Sequence, residues 1–261
     1  MRNLMSHHSG LPREPPKGNY VDVEETTLEA TIDSLNRMSL VFAPNTNYKY
    51  SNAGIGLVGR VLEVTTGEKF SDHVQKIFVQ LEMKKTSFVP DARLMPDLCH
   101  GYMWSYEDTR EQTAPMFELG EAPAGTMFST VPDMANFVQM LVNGGSFKGQ
   151  RIIGEETLKE MWRQQFPDVP MGLGFVSMQK HGVRMVGHGG AIYGYSAELV
   201  VVPELKLGFI SMLGLDACNP VLSHINTVGI HALLPVFKDG TNFVPSPSHV
   251  LNDSPDWPIP A

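Results

Sequence analysis

Cysteine, positive charge, long apolar runs and metal-ligand spacings are what this 261-residue chain has least of. Its two cysteines, Cys99 and Cys218, make neither a disulfide framework nor a Cys-x-x-Cys knuckle, and they leave the redox compartment open. Lysine and arginine total 20 against 28 aspartates and glutamates, a formal net charge of -8. A nucleic-acid surface needs a basic face, so no nucleic-acid partner is expected. No stretch of ~18 consecutive apolar residues occurs, so no transmembrane segment is expected. The start, Met1-Arg2-Asn3-Leu4-Met5-Ser6-His7-His8, has no apolar core of the kind a signal peptide carries. His-Glu-x-x-His and other zinc spacings are missing, as are phosphate-loop patterns, so neither a metal nor an organic cofactor is expected.

What is present is globular composition, 42% hydrophobic and 18% charged, enough apolar material for one sizeable core. The 15 methionines are read as gap fillers in that core. Gly10, Pro12, Pro15, Pro16 and Gly18 make the first segment a loop. Thr26 or Thr27 caps a helix carrying Leu28, Ile32, Leu35 and Met38 at helical spacing. A turn at Pro44-Asn45-Thr46-Asn47 precedes a second helix that starts near Ser51, presents Ile55, Val58 and Leu62, and stops at Gly67. Further helices are expected over 71–80, 130–143 and 155–163, with 90–125 mostly irregular.

The period then becomes strand-like. Short β-rich runs cover 174–179, 183–187, 197–202 and 207–213, with turns at His181-Gly182 and Pro203-Glu204. A closing helix is expected over 221–234, with His224 and His231 seven apart on one face. The composition shifts after Pro235 to a proline-rich stretch. This divides the chain into a domain over 1–235 and a tail or linker over 236–261.

Three segments stand out for chemistry: Leu4-Met5-Ser6-His7-His8-Ser9-Gly10-Leu11-Pro12, Tyr48-Lys49-Tyr50-Ser51-Asn52-Ala53-Gly54 and Gly187-His188-Gly189-Gly190-Ala191. Each is weak alone. Their order and separation, joined to Met83-Lys84-Lys85-Thr86-Ser87-Phe88 and Pro123-Ala124-Gly125-Thr126-Met127-Phe128-Ser129-Thr130, form a strong joint signal. Together they resemble the serine β-lactamase-like group: class C β-lactamases, D-Ala-D-Ala carboxypeptidases, penicillin-binding-protein-like esterases and aminopeptidases. The resemblance covers about Leu4 to Leu213. Tyr50-Ser51-Asn52 is similar to the group's Tyr-x-Asn motif, and His188-Gly189-Gly190 to its Lys-Thr-Gly position in a His-x-Gly form. Glu82 stands where glycine is usual, and Gly189 where threonine is usual.

The resemblance implies an α/β fold, an antiparallel sheet flanked by helices, and hydrolysis of an amide or ester of a small-molecule or peptide-like substrate through an acyl-enzyme. It implies that Tyr50 is the general base or proton carrier and His188 its electrostatic partner. Asn52 would be the substrate anchor. Gly189 and Gly190 would let the strand lie close to the ligand, with the Ala191 N–H as an oxyanion donor. An unassisted phenol has pKa ~10 and is ionised about once in a thousand at pH 7, so Tyr50 needs a cation beside it. Ser51 and Asn52 also suit a helix N-cap.

One motif of the group is missing from its place. Ser-x-x-Lys precedes the Ser-Gly-Leu-Pro loop by several tens of residues in the group. The one match here, Ser177-Met178-Gln179-Lys180, follows Tyr50 and lies in an expected strand, where Ser177 and Lys180 would point to opposite faces. The resemblance therefore implies a truncated form, lacking the N-terminal strands and the Ser-x-x-Lys helix, with self-association through an exposed sheet edge. A pseudoenzyme that binds a peptide-like or β-lactam-like ligand without turnover is the alternative, and a relocated nucleophile at Ser9, Ser51 or Ser177 is a third. Localisation stays open, export being common among relatives of this kind.

Overall fold

The β-rich runs late in the chain form one sheet in the structure, a computed structural model that describes residues 1–22, 24–88, 92, 94–104, 112–180 and 182–239. Ahead of that sheet come α1 (Arg2–Met5), α2 (Leu28–Asp33), α3 (Asn52–Thr66), α4 (Phe70–Gln80), the short pair β1 (Tyr102–Met103) and β2 (Gln112–Thr113), α5 (Val131–Val142), the hairpin β3 (Ser146–Phe147) and β4 (Gln150–Arg151), and α6 (Glu155–Trp162). The sheet itself is an antiparallel meander of β5 (Val176–Lys180), β6 (Val183–Ile192), β7 (Tyr195–Val202) and β8 (Leu207–Leu213), in that spatial order. It is closed over by α7 (Asn219–Asp239). This is the expected α/β fold with an antiparallel sheet flanked by helices.

Alternation along the strands sorts the core into two layers. Val186, Leu199, Val201 and Ile210 face α4, α5 and α6 through Phe78, Leu81, Leu141, Leu158 and Trp162. Their neighbours Met185, Val200, Val202 and Phe209 face α7 through Ile230 and Leu234. Polar residues on a strand therefore fall on one side or the other by parity alone, and this decides which of them share a site.

Helix boundaries follow the expected chemistry. Thr27 caps α2, Ser51 caps α3 and Thr130 caps α5, each accepting a backbone N–H three residues on. Gly67 ends α3 in a left-handed conformation at φ 72. Other elements differ from expectation. The helix after Thr27 is α-helical only to Asp33 and continues as a 3-10 turn over Ser34–Arg37. The first segment opens with the one-turn α1 ahead of its loop. In the His181-Gly182 turn, His181 lies outside the described residues, as do residues 240–261. α3 buries Ala53, Gly54, Gly56 and Gly59, not the Ile55, Val58, Leu62 stripe, which is half-buried. A β-carbon on Gly59 would stand 2.2 Å from Pro123 Cγ, so close approach of the backbone outranks apolar area on this helix. Glu82 occupies the left-handed region at φ 55, the conformation that makes glycine the easy choice there, and is ion-paired with Lys148.

α7 runs longer than the 221–234 expected and contains Pro235. Although no unbroken apolar run exists, α7 over Asn219–Phe237 is long and apolar enough to cross a membrane by length and composition. In the structure one side of it covers the sheet, with Leu222, Ile230 and Leu234 buried. Val221, Ile225, Val236 and Phe237 on α7, and Met212 and Leu213 at the end of β8, are exposed.

Candidate active site

The three motif segments meet at the N-terminal end of α3. Ser51 caps the helix: its hydroxyl accepts the Gly54 N–H at 2.9 Å and donates to the Pro12 carbonyl at 2.7 Å. The Ala53 N–H donates to the Arg13 carbonyl at 3.1 Å. The Ser-Gly-Leu-Pro loop is thereby stitched to the start of the helix, and Tyr50 is held one residue before the cap.

His7 grips the same stretch in three ways. Its Nδ1 accepts the Ser51 N–H at 3.2 Å, its carbonyl accepts the Lys49 N–H at 2.8 Å, and its ring lies 4.2 Å from the Tyr50 ring, centroid to centroid. It does so from a left-handed backbone at φ 60, a conformation rare for a side chain of this size. Burial above all, with the electrostatic influence of His188, His8 and Arg13, pushes His7 down to about 3, so the ring is neutral and its role is geometric. His8 points the other way. It stacks on Phe166 at 3.8 Å and meets the Asp168 carboxylate at 3.0 Å, which fastens the loop to the segment before β5.

Tyr50 and His188 face each other with ring centroids 6.3 Å apart. Burial raises the Tyr50 phenol above its ordinary value. Arg13, whose guanidinium carbon is 5.1 Å from the ring centre, acts against that rise, while Glu14 and Glu121 add to it. The phenol is thus a proton donor at rest. His188 hydrogen-bonds through Nδ1 to the Gly189 carbonyl at 2.5 Å, so Nδ1 carries the proton and Nε2 is left as an acceptor. Burial lowers His188, and a neutral imidazole supplies no positive charge to the phenol at pH 7. The cation found beside Tyr50 is Arg13.

Asn52 is buried, and its Nδ2 lies 2.9 and 3.2 Å from the two Glu14 carboxylate oxygens, which sit too close together for its two diverging N–H bonds, so one N–H is shared between them. Arg13 Nε donates to the same carboxylate at 3.0 Å. One Asn52 N–H remains for any further acceptor. Burial and then the Glu14 carboxylate push the Glu121 carboxyl well above the usual carboxylate range, so it is a neutral acid. Arg13, Glu14 and Glu121 had no part in the sequence reading. The first two are adjacent to the motif, directly after Leu11-Pro12, while Glu121 is brought in from far along the chain.

On β6 the parity separates the two glycines. Gly190 shares the His188 face and has nothing within 4 Å of a notional β-carbon, so the strand is bare there. Gly189 faces α7, where a β-carbon would stand 2.5 Å from Glu198 Oε2. Its missing side chain leaves room for Glu198, on the side away from Tyr50, and gives no room to a ligand beside Tyr50. Strand β6 also reaches further than 187: it continues through His188 to Ile192, and Ala191 is exposed. β5 begins at Val176, opposite Gly187, and runs away from His188. Beyond that point no strand pairs with this side of β6 among the described residues.

Each alternative nucleophile is otherwise engaged. Ser51 is fully buried in its cap. Ser9 is 8% exposed and its hydroxyl accepts the Leu11 N–H. Ser177 pairs with Val186 inside β5, three strand residues from Lys180 and so on the opposite face from it.

Residues 1–216 match the Beta-lactamase family model. Beta-lactamase-like protein 2 of Dictyostelium discoideum is 28% identical over 219 residues, 80% of this chain and 39% of that protein. Among solved structures, the octameric penicillin-binding protein homologue from Pyrococcus abyssi superposes with a TM-score of 0.74 at 23% identity, over 92% of this chain and 55% of that one. The D-amino acid amidase from Ochrobactrum anthropi, complexed with D-phenylalanine, gives 0.66 at 25% identity, over 81% of this chain and 64% of that one. The chain spans 39–44% of the length of the first curated relatives that it matches.

Proposed function

The chain belongs to the Beta-lactamase family, and from that premise we propose that it forms the proton-transfer and carbonyl-binding side of an acyl-transfer hydrolase cleft, with the attacking serine outside these 261 residues. The observation that carries this reading is the placement of Tyr50: a half-buried phenol between two neutral imidazoles, with Arg13 over its ring. The reading takes residues 1–235, which include most of α7, as the domain and 236–261 as a proline-rich tail or linker.

In the reaction a serine oxygen adds to the carbonyl carbon of an amide or ester; its proton passes to the lysine of its Ser-x-x-Lys pair and returns to that oxygen when the acyl group is released. The negative charge that develops on the carbonyl oxygen is met by the Ala191 N–H on the open edge of β6. The C–N or C–O bond then breaks, and the Tyr50 phenol gives its proton to the leaving nitrogen or oxygen as the acyl-enzyme forms. Tyr50 next takes a proton from the water that hydrolyses the acyl group. A phenolate has to persist between these two transfers. Arg13 favours it, and the lysine of a Ser-x-x-Lys pair would favour it further. His188 Nε2 is an acceptor placed to relay a proton, and Asn52 keeps one N–H for the acyl-side carbonyl. The amidase relative makes amides of single amino acids the first substrates to try.

Titration calorimetry of the chain with D-phenylalanine amide, an acyl-D-Ala-D-Ala peptide and benzylpenicillin tests the cleft without needing turnover. We expect saturable heat with at least one of the three, and a drop of about tenfold in affinity in Tyr50→Phe, the size of one lost hydrogen bond. Absence of heat with all three, or binding that Tyr50→Phe and Asn52→Ala both leave untouched, overturns the reading. Binding with no product is the pseudoenzyme outcome for the isolated chain. The nucleotides upstream of the Met1 codon then decide the nucleophile: an in-frame Ser-x-x-Lys supports the reading, and a stop codon close upstream with no such motif rejects it.

A further inference from the structure

Helix α7 begins against the far side of the same strand. Asn219, its first residue, donates from Nδ2 to the Gly190 carbonyl at 3.0 Å and to the Ala197 carbonyl at 3.1 Å. These two residues face each other across β6 and β7. Ser196, the next residue back on β7, holds the start of α7 as well: its hydroxyl accepts the Cys218 N–H at 2.9 Å and donates to the Leu215 carbonyl at 2.8 Å. The first turn of α7 is therefore riveted to the strand pair at one spot.

That spot is the Gly190–Ala191 peptide. β6 and β7 are joined by the two-residue loop Tyr193-Gly194, with Ile192 opposite Tyr195. In such a hairpin Ile192 and Tyr195 exchange both hydrogen bonds, and the alternation makes Gly190–Ala197 the next bonded pair and Ala191–Ser196 an unbonded one. The Gly190 carbonyl thus points toward β7. The peptide being trans, the Ala191 N–H points the opposite way, to the open edge beyond the start of β5. Whatever fixes the carbonyl fixes the N–H on the other end of the same rigid plane.

We propose that Asn219 is a positioning residue, which holds the Gly190–Ala191 peptide plane so that the Ala191 N–H stays aimed into the cleft. A carbonyl has two lone pairs, so Gly190 accepts from β7 and from Asn219 together. A second donor on the carbonyl also polarises the peptide and strengthens its N–H as a donor. The clamp accounts for the glycine at 189. A β-carbon there would lie 2.5 Å from Glu198 Oε2 and 3.2 Å from Asn219 Nδ2, and would displace both. The inference rests on the reading of Ala191 as a carbonyl-binding donor, and its test separates the two.

Amide NMR and hydrogen exchange on the chain, with D-phenylalanine amide as the probe, provide that test. In the unmodified protein the Asn219 Nδ2 protons are expected to be protected from exchange. In Asn219→Ala the Gly190 and Ala197 amides should exchange at least about tenfold faster, while those of Val186 and Val201, further along the same strands, hold their rates. The Ala191 amide signal should move with added D-phenylalanine amide in the unmodified protein, and move less or only at about tenfold more ligand in Asn219→Ala. Gly189→Ala, which pushes Asn219 aside without removing it, should give the same pattern. Unprotected Asn219 protons in the unmodified protein overturn the clamp even if no variant folds, and so does unchanged Gly190 and Ala197 exchange in a folded Asn219→Ala. Altered exchange with an Ala191 signal that never responds to the ligand keeps the clamp and overturns the assignment of Ala191.

Discussion

Incubated with D-phenylalanine amide or a chromogenic cephalosporin, the 261-residue chain is expected to release product no faster than buffer does. Loss of an attacking serine costs about 10⁶-fold in a well-studied protease, and among the described residues none of Ser9, Ser51 and Ser177 is placed to replace it. Ser51 is committed twice, as acceptor for Gly54 and donor to Pro12, and giving up that cap would unfasten the turn that carries Tyr50. Ser9 is nearly buried in its own turn. Ser177 and Lys180 have the right spacing in sequence and the wrong one in space, because three residues along a strand end on the opposite face, whereas on a helix they end nearly above each other. Ser177→Ala should therefore change nothing. Product release above buffer that disappears in Ser9→Ala, Ser51→Ala or Ser177→Ala would show that the nucleophile has moved within the chain.

The second large effect is on stability against pH, and it comes from Glu198. This residue is 3% exposed beneath Gly189, and burial pushes its carboxyl up to about 7, with a small opposing contribution from the Asn219 amide. The folded state therefore holds a proton that the unfolded chain releases near 4.5. Below that value the residue costs nothing. As pH rises toward 7 and beyond, the folded protein must either keep the proton against solvent or bury a charge, so stability falls. At ~1.4 kcal/mol per pH unit, the loss reaches at most ~3 kcal/mol. Glu198→Gln keeps the shape and removes the titration. Urea unfolding at pH 5 and pH 8.5 should show the variant gaining up to ~3 kcal/mol on the unmodified protein at the higher pH and little at the lower. An equal difference at both values would mean that Glu198 is not buried as a neutral acid. Glu121 acts in the same direction at its own site, so it is the difference between the two proteins that isolates Glu198.

Much of this molecule was legible in its sequence because local chemistry decides local structure. Ser51 and Gly67 mark the ends of α3, Thr130 starts α5, and Pro203 turns the chain between β7 and β8. The grouping of Tyr50, Asn52 and His188 was legible for a different reason: they belong to segments whose order resembles a known family. What stayed hidden depends on approach between distant parts. α3 carries an apolar stripe that reads as its buried face, but Gly56 and Gly59 let Pro123 and the segment before α5 come closer than the stripe allows. The β-rich run read as 183–187 stops short of the observed strand, because β7 pairs with the glycine-rich stretch after it through to Ile192. Arg13 and Glu14 follow directly on a motif without belonging to it, and Glu121 joins them from far along the chain. Asn219 lies 29 residues from the carbonyl it holds.

The most direct measurement is to expose the protein, as its own gene produces it, to a fluorophosphonate tag and to map the tagged serine by mass spectrometry, with and without Tyr50→Phe. The account predicts a tag on a serine outside the 261 residues, three residues ahead of a lysine, and labelling slower by about 10²–10⁴-fold once the phenol is gone. A tag on Ser9, Ser51 or Ser177, or labelling indifferent to Tyr50, would contradict it.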